Sequence, residues 1–158
     1  MTISLTNLQA YVGKPIAGIC ANGFSSSSQN QCAHFVSHAL GIQLGMLCGD
    51  MKFETRKTGA SIRCDELYNR LPRHGPWSEK PRIADGILIF VLSAKHVNGN
   101  SMSNHPQKHV GIHYSGTVFN YSNSHGKVVA DHSVEAFHNK FKSIYSGGDV
   151  TLFYGVAQ

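Results

Sequence analysis

The sequence predicts an α+β fold, with N-terminal helices packed on a mostly antiparallel sheet. Three observations carry that expectation. Apolar residues recur at helical spacing in the first half, most clearly over Cys32, Phe35, Val36, Ala39 and Leu40. From Asp85 onward the pattern changes to short β-rich runs separated by turn residues. One further helical pattern lies among those strands, so helices come mainly first and strands mainly later.

The elements follow in order. "SLTNLQAYVG" reads as a short helix with Thr6 as N-cap and Gly13 near its end. "KPIAGICANGFSSSSQNQ" is a long polar loop, of a length that loops reach when they carry function. The helix that opens at Cys32 is ended by Gly41 or Gly45. Within the loop-like stretch 46–80, "SIRCDELYNRL" has helical character and "PRHGP" stops it. "GILIFVLSA" is a core strand, "HVGIHYSGTVFNYSN" a hairpin and "KVVA" a short strand. "SVEAFHNKFKSIY" is then a helix and "DVTLFYGV" a closing strand.

At 158 residues the chain has the size of one domain, 1–158, with room for a real core. Lys and Arg total 14 against 9 Asp and Glu, and 10 histidines add charge at acid pH. That surplus suits an anionic polymer or an acidic partner protein. Its charges are too scattered to argue for nucleic acid. No apolar run reaches the ~18 residues that would argue for membrane insertion. The first residues, "MTISLTNLQAYVGKPIAG", lack the basic and apolar regions of a secretory signal, so action outside the cytoplasm implies a specialised export route.

Four cysteines, Cys20, Cys32, Cys48 and Cys64, match no Cys-x-x-Cys zinc pattern, and no metal or other cofactor is expected. With one of them a working thiol, at most one disulfide remains. Cys48 with Cys64 closes a short loop, and Cys20 with either is the alternative.

Cys32 has a special address. A helix N-terminus carries about half a positive charge and unpaired N–H groups. Both favour a thiolate, and the same N–H groups hold the oxyanion formed when a thiolate attacks a carbonyl. The opposing reading is a buried structural cysteine that packs a helix start. A catalytic thiol needs a base. In "KHVGIHYSGTVFNYSN" strand alternation puts His109, Gly111 and His113 on one face. With Ser115 and Gly116 as a two-residue turn, Gly111 falls opposite Asn120 and His109 opposite Ser122. Asn120 is then diagonal to His109 on the same face, and Gly111 leaves the space between them open. A polar residue there fixes the tautomer and orientation of an imidazole base. His113 shares that face as an auxiliary or solvated group. His34 and His38 read as lining or surface residues of the Cys32 helix.

"NQCAHFVSHAL", "ADGILIF" and "HVGIHYSGTVFNYSNSHGKVV" together resemble the papain-like cell-wall peptidases of the NlpC type. The first block is also similar to the CHAP amidases. The resemblance covers about 45 residues in three blocks. It implies a papain-like fold, Cys32 as nucleophile, His109 as base and Asn120 as orienting residue. The implied substrate is the peptide stem of peptidoglycan, cut at an amide bond through a thioester. A small domain of this kind without a signal peptide also resembles the amidase effectors of type VI secretion, which act in a rival's periplasm and are matched by an immunity protein. Two contexts depart from the family: Asn30-Gln31 precedes the cysteine, and Asp85-Gly86 stands where Gly-Asp is commoner. The expected oxyanion donors are the Cys32 backbone N–H and one of Asn22, Ser28, Gln29 and Gln31 from the polar loop.

Three alternatives remain from the residues. His105, His109 and His113 are spaced four apart as for zinc on a helix, but Pro106 and the β-branched run oppose a helix there. A Cys/His site can also deamidate or acylate a protein. A non-catalytic binding module would leave Cys32 inert.

Overall fold

The computed structural model describes residues 3–21, 30–49, 62–82, 84–146 and 148–157. Within them the chain is α+β, and its main sheet is antiparallel at every pairing. Four α-helices are described: α1 (Leu5–Tyr11), α2 (Cys32–Leu40), α3 (Cys64–Arg70) and α4 (Val134–Ile144). The strands are β1 (Arg73–Pro76), β2 (Ile87–Ser93), β3 (Val97–Asn98), β4 (Ser101–Met102), β5 (Lys108–Tyr114), β6 (Thr117–Ser122), β7 (Lys127–Asp131) and β8 (Val150–Val156). Six strands form one sheet in the order β1-β8-β2-β5-β6-β7, and β3 pairs with β4.

β2 lies inside the sheet and is buried along its whole length, as its unbroken apolar run requires. Its residues alternate between two cores. Leu88, Phe90 and Leu92 meet apolar side chains of α1, α2 and α3, including Leu8, Phe35, Val36 and Leu67. Ile89 and Val91 meet Phe137 and Phe141 of α4 with Leu152 of β8. The sheet is thus covered by three helices on one face and by α4 on the other. Burial of a Phe or Leu side chain contributes roughly 1.5–3 kcal/mol each, so these two layers hold the sheet against its helices.

Local chemistry sets the ends. α1 is capped by Ser4, whose hydroxyl accepts from the Asn7 N–H, not by Thr6. α2 ends at Gly41, which takes the left-handed conformation at φ 69° that a side chain would resist. The hairpin turns on Ser115 and Gly116, both at positive φ, as a two-residue turn of the primed type demands. Gly111 then pairs with Asn120 as the turn length requires, but the β5–β6 register stops there and does not continue to His109 and Ser122. β1 falls on "RHGP", which the sequence offered as a helix stop. It pairs only with β8 at the sheet edge, where a proline is tolerated.

Candidate active site

Cys32 is the first residue of α2, and β5 starts beside it. His109 is the second residue of β5, and Asn120 lies on β6 across from Gly111. All three line one cavity of about 950 Å³, together with Cys64, Asp131, Lys140, Phe141 and Tyr145. Cys32 is 1 % exposed and Asn120 1 %, so both side chains are shielded from bulk water.

His109 Nε2 lies 3.0 Å from Asn120 Oδ1. The orientation of the carboxamide is fixed from its far side. Asn120 Nδ2 donates to Asp131 Oδ2 at 2.9 Å and to the Val118 carbonyl at 3.2 Å, so the oxygen must face the imidazole. Nε2 therefore carries the proton it donates to Asn120, and Nδ1 is the ring nitrogen left for the thiol. Asp131 Oδ2 in turn accepts from Lys140 Nζ at 2.7 Å. The ring of His109 stacks on Phe141 of α4, with centroids 4.6 Å apart at 27°. The imidazole is thus held at its edge by Asn120 and on its face by an aromatic ring.

Gly111 makes this approach possible. A Cβ at that position would lie 3.0 Å from the Phe119 carbonyl oxygen and 3.1 Å from Asn120 Cβ, with Val118 closer still. The same diagonal geometry that brings Asn120 to His109 brings Asp131 to Asn120. Asn120 pairs with Val129 across β6 and β7, so Asp131, two residues on, is its diagonal neighbour on one face.

The Cys32 thiol sits among several groups. Burial works to raise its pKa, but a hydrogen bond from Cys64, the charge and hydrogen bond of His109 and the Val110 N–H together carry it well below the ordinary thiol value. Val110 lies just past the point where β5 and β6 stop pairing, and its N–H is directed at the sulfur. Cys64, at the start of α3, moves the other way. Burial and the neighbouring Cys32 thiolate push its thiol well above the ordinary value, so one proton is shared towards Cys64 and the charge rests on Cys32. Tyr145 is also pushed upward, first by burial and then by the charge on the neighbouring Cys32 sulfur.

Several expectations are corrected. The Cys32 N–H does not point at open space: it donates to Asn30 Oδ1 at 3.1 Å, and Asn30 Nδ2 donates to the Lys108 carbonyl at 3.1 Å. A substrate oxygen reaching that N–H has to displace the Asn30 carboxamide. Gln31 is buried and does not line the cavity, since its Oε1 lies 2.8 Å from His34 Nδ1. His113 is away from the cavity, where Nδ1 donates to the Ala84 carbonyl at 2.6 Å and the ring packs edge-on against Trp77. Asn22, Ser28 and Gln29 lie outside the described residues. His105, His109 and His113 share no helix: two of them are on β5, and His105 stacks on His96 with centroids 3.6 Å apart. Cys64 neighbours Cys32, and Cys48 is not bonded to it. Cys48 faces Cys20 with the sulfurs 3.8 Å apart, and none of the four cysteines is in a disulfide. His34 is fully buried rather than a surface or cavity-lining residue.

Cys64, expected only as a disulfide partner, joins the site, as do Asp131, Lys140 and Phe141, for which no role was expected. Asp131 was within reach of the diagonal rule, while the α3 and α4 contacts depend on packing that the sequence does not state. Compared with known proteins, the chain matches no family model and no curated protein.

Proposed function

We propose that the chain is a cysteine amidase or endopeptidase that cuts an amide bond in the peptide stem of peptidoglycan. The observation that carries this reading is the His109 imidazole, bonded to Asn120 on one nitrogen and facing a depressed thiol with the other. A thiol kept only for packing has no use for an oriented base or for a helix start that favours its charged form. The cysteine at the mouth of α2, the histidine on β5 and a polar partner on β6 are also the arrangement that a papain-like domain of the NlpC type would have.

In the mechanism, Cys32 thiolate attacks the carbonyl carbon and the C–O π pair moves to oxygen. The oxyanion accepts a hydrogen bond from the Cys32 N–H once Asn30 Oδ1 has been displaced. His109, as imidazolium, gives its Nδ1 proton to the leaving amine as the C–N bond breaks, which leaves a thioester on Cys32. Neutral His109 then takes a proton from water, the hydroxide adds to the thioester, and collapse releases the acid and the thiolate. Asn120 keeps the ring in one tautomer through both halves, and Asp131 keeps Asn120 from rotating.

The substrate class is supported by charge. Stem peptides carry free carboxylates, and the cavity is lined by Arg63 and His125 besides Lys108 and Lys140, which pair with the lining Asp65 and Asp131. The whole chain has a net charge of +5. Nucleic acid is not part of this reading. No described helix is long and apolar enough to cross a membrane. The setting that fits is that of an antibacterial effector delivered to a rival's periplasm by type VI secretion, with an acidic immunity protein as its inhibitor.

The test is digestion of purified Gram-negative sacculi by wild type and Cys32→Ala, with the fragments read by mass spectrometry. Stem-peptide cleavage by wild type alone is expected. No cleavage by either protein sinks the cell-wall reading and favours deamidation or acyl transfer on a protein, while equal cleavage by both removes Cys32 from the chemistry.

A further inference from the structure

A second cluster of ligating side chains lies apart from the cavity. Cys20, His34, His38 and Cys48 bring two sulfurs and two imidazole nitrogens together, all four donor atoms within 4.8 Å of one another. None of these residues lines the cavity that holds Cys32 and His109. We infer that these four residues form a closed, tetrahedral zinc site that fastens two loop segments to the helix carrying Cys32.

The distances support a single central ion. Zinc bonds of about 2.3 Å to sulfur and about 2.0–2.1 Å to nitrogen give tetrahedral edges of about 3.8 Å for S–S, 3.6 Å for S–N and 3.3 Å for N–N. Three of the six separations are 3.8 Å between the Cys20 and Cys48 sulfurs, 3.8 Å from Cys48 Sγ to His38 Nε2, and 3.1 Å from His34 Nε2 to His38 Nε2, and the other three are within 4.8 Å. His34 and His38 are one helical turn apart on α2, so their rings reach the same point from one face.

The outer contacts fit as well. His34 Nδ1 lies 2.8 Å from Gln31 Oε1, an acceptor, so Nδ1 bears the proton and the Nε2 lone pair points inward. A metal-bound histidine whose other nitrogen donates to an oxygen is the usual second contact of such sites. Cys20, His34 and Cys48 are buried, and Ile62 and Met46 pack around the two sulfurs. Two thiolates and two neutral imidazoles are the donor set that zinc takes in four-coordinate structural sites. Four protein ligands leave no open position, so the ion holds structure and takes no part in turnover. On binding, each thiol gives its proton to solvent, and the two thiolates balance the dipositive ion.

Position gives the site its consequence. Cys20 and Cys48 come from segments before and after α2, and the His34–Gln31 hydrogen bond links the cluster to the residue that precedes Cys32. One ion thus ties three stretches of chain to the start of the helix that presents the thiol.

The test is elemental analysis of the full-length chain, purified without chelator, followed by cobalt loading of the metal-stripped protein. We expect about one zinc per chain. Added Co²⁺ should give the intense visible bands of tetrahedral coordination and a sulfur-to-cobalt charge-transfer band. Cys48→Ser and His38→Ala should each lower zinc content at least several-fold, while Cys32→Ala keeps it. Chelation should lower the thermal midpoint of wild type. Wild-type protein with sub-stoichiometric zinc and no tetrahedral cobalt spectrum overturns the inference. A Cys20–Cys48 disulfide in the peptide map also overturns it, as does zinc that is lost from Cys32→Ala and kept by Cys48→Ser.

Discussion

At the residue scale the groups that touch His109 and Cys32 decide what the site can do. Asn120 orients the imidazole and Asp131 orients Asn120 through Nδ2 at 2.9 Å. Removing a hydrogen bond to a group that becomes charged costs about 1.5–3 kcal/mol. Asn120→Ala should therefore lower kcat by about 10- to 150-fold. Iodoacetamide labelling of Cys32 separates orientation from activation. The thiolate is the reactive form, and its pKa is lowered, so labelling should persist at pH values below the ordinary thiol range. Asn120→Ala should keep that labelling. His109→Ala removes the neighbouring positive charge, so the midpoint of labelling should move to higher pH. A midpoint unchanged in His109→Ala would contradict the ion pair. Cys32, His109 and Asn120 were legible because helix start, strand alternation and turn length are all local rules. Cys64 was not: "SIRCDELYNRL" reads as a helix and is one, but nothing local says that its first residue packs against Cys32.

At the element scale the β5–β6 hairpin does the positioning. Ser115 and Gly116 fix the turn, the turn fixes the register, and the register sets Asn120 diagonal to His109. Gly111 is the point where this is tightest. Gly111→Ala forces a methyl against the Phe119 carbonyl and Asn120. Overpacking of this kind costs about 1–3 kcal/mol, read as a lower midpoint in denaturant unfolding. Activity should fall further than stability explains, because Asn120 is the side chain displaced; a variant as active as wild type per folded molecule would contradict that placement. The strands of the hairpin were readable from their period. β1 was not, since "RHGP" holds a glycine and a proline and becomes a strand only by lying on the edge of β8. The Cys20, His34, His38 and Cys48 cluster was hidden for a related reason: its outer ligands sit in loops on either side of α2 and short Cys-x-x-Cys spacing is absent. The one local signal was the His34–His38 pair on a single helix face.

At the scale of the whole molecule, one sheet carries helices on both faces, and the site sits where the layers meet. α2 and α3 supply the sulfurs from one face, and α4 backs His109 and supplies Lys140 from the other. The α+β class was legible because apolar period changes along the chain; the two-sided covering of β2 was implied only by its unbroken apolar run. The net charge of +5 acts at this scale too. Binding of Cys32→Ala to purified sacculi should weaken as added salt shortens the screening length from about 30 Å at 0.01 M to about 8 Å at 0.15 M. Salt-independent binding would remove charge from the account of substrate approach. The measurement that tests the central claim most directly is acid-quenched mass spectrometry of the wild-type chain during turnover of stem peptide. A thioester-linked acyl fragment on the peptide containing Cys32, absent in His109→Ala, is the predicted result. Turnover with no adduct at Cys32, or an adduct on Cys64 instead, would contradict it.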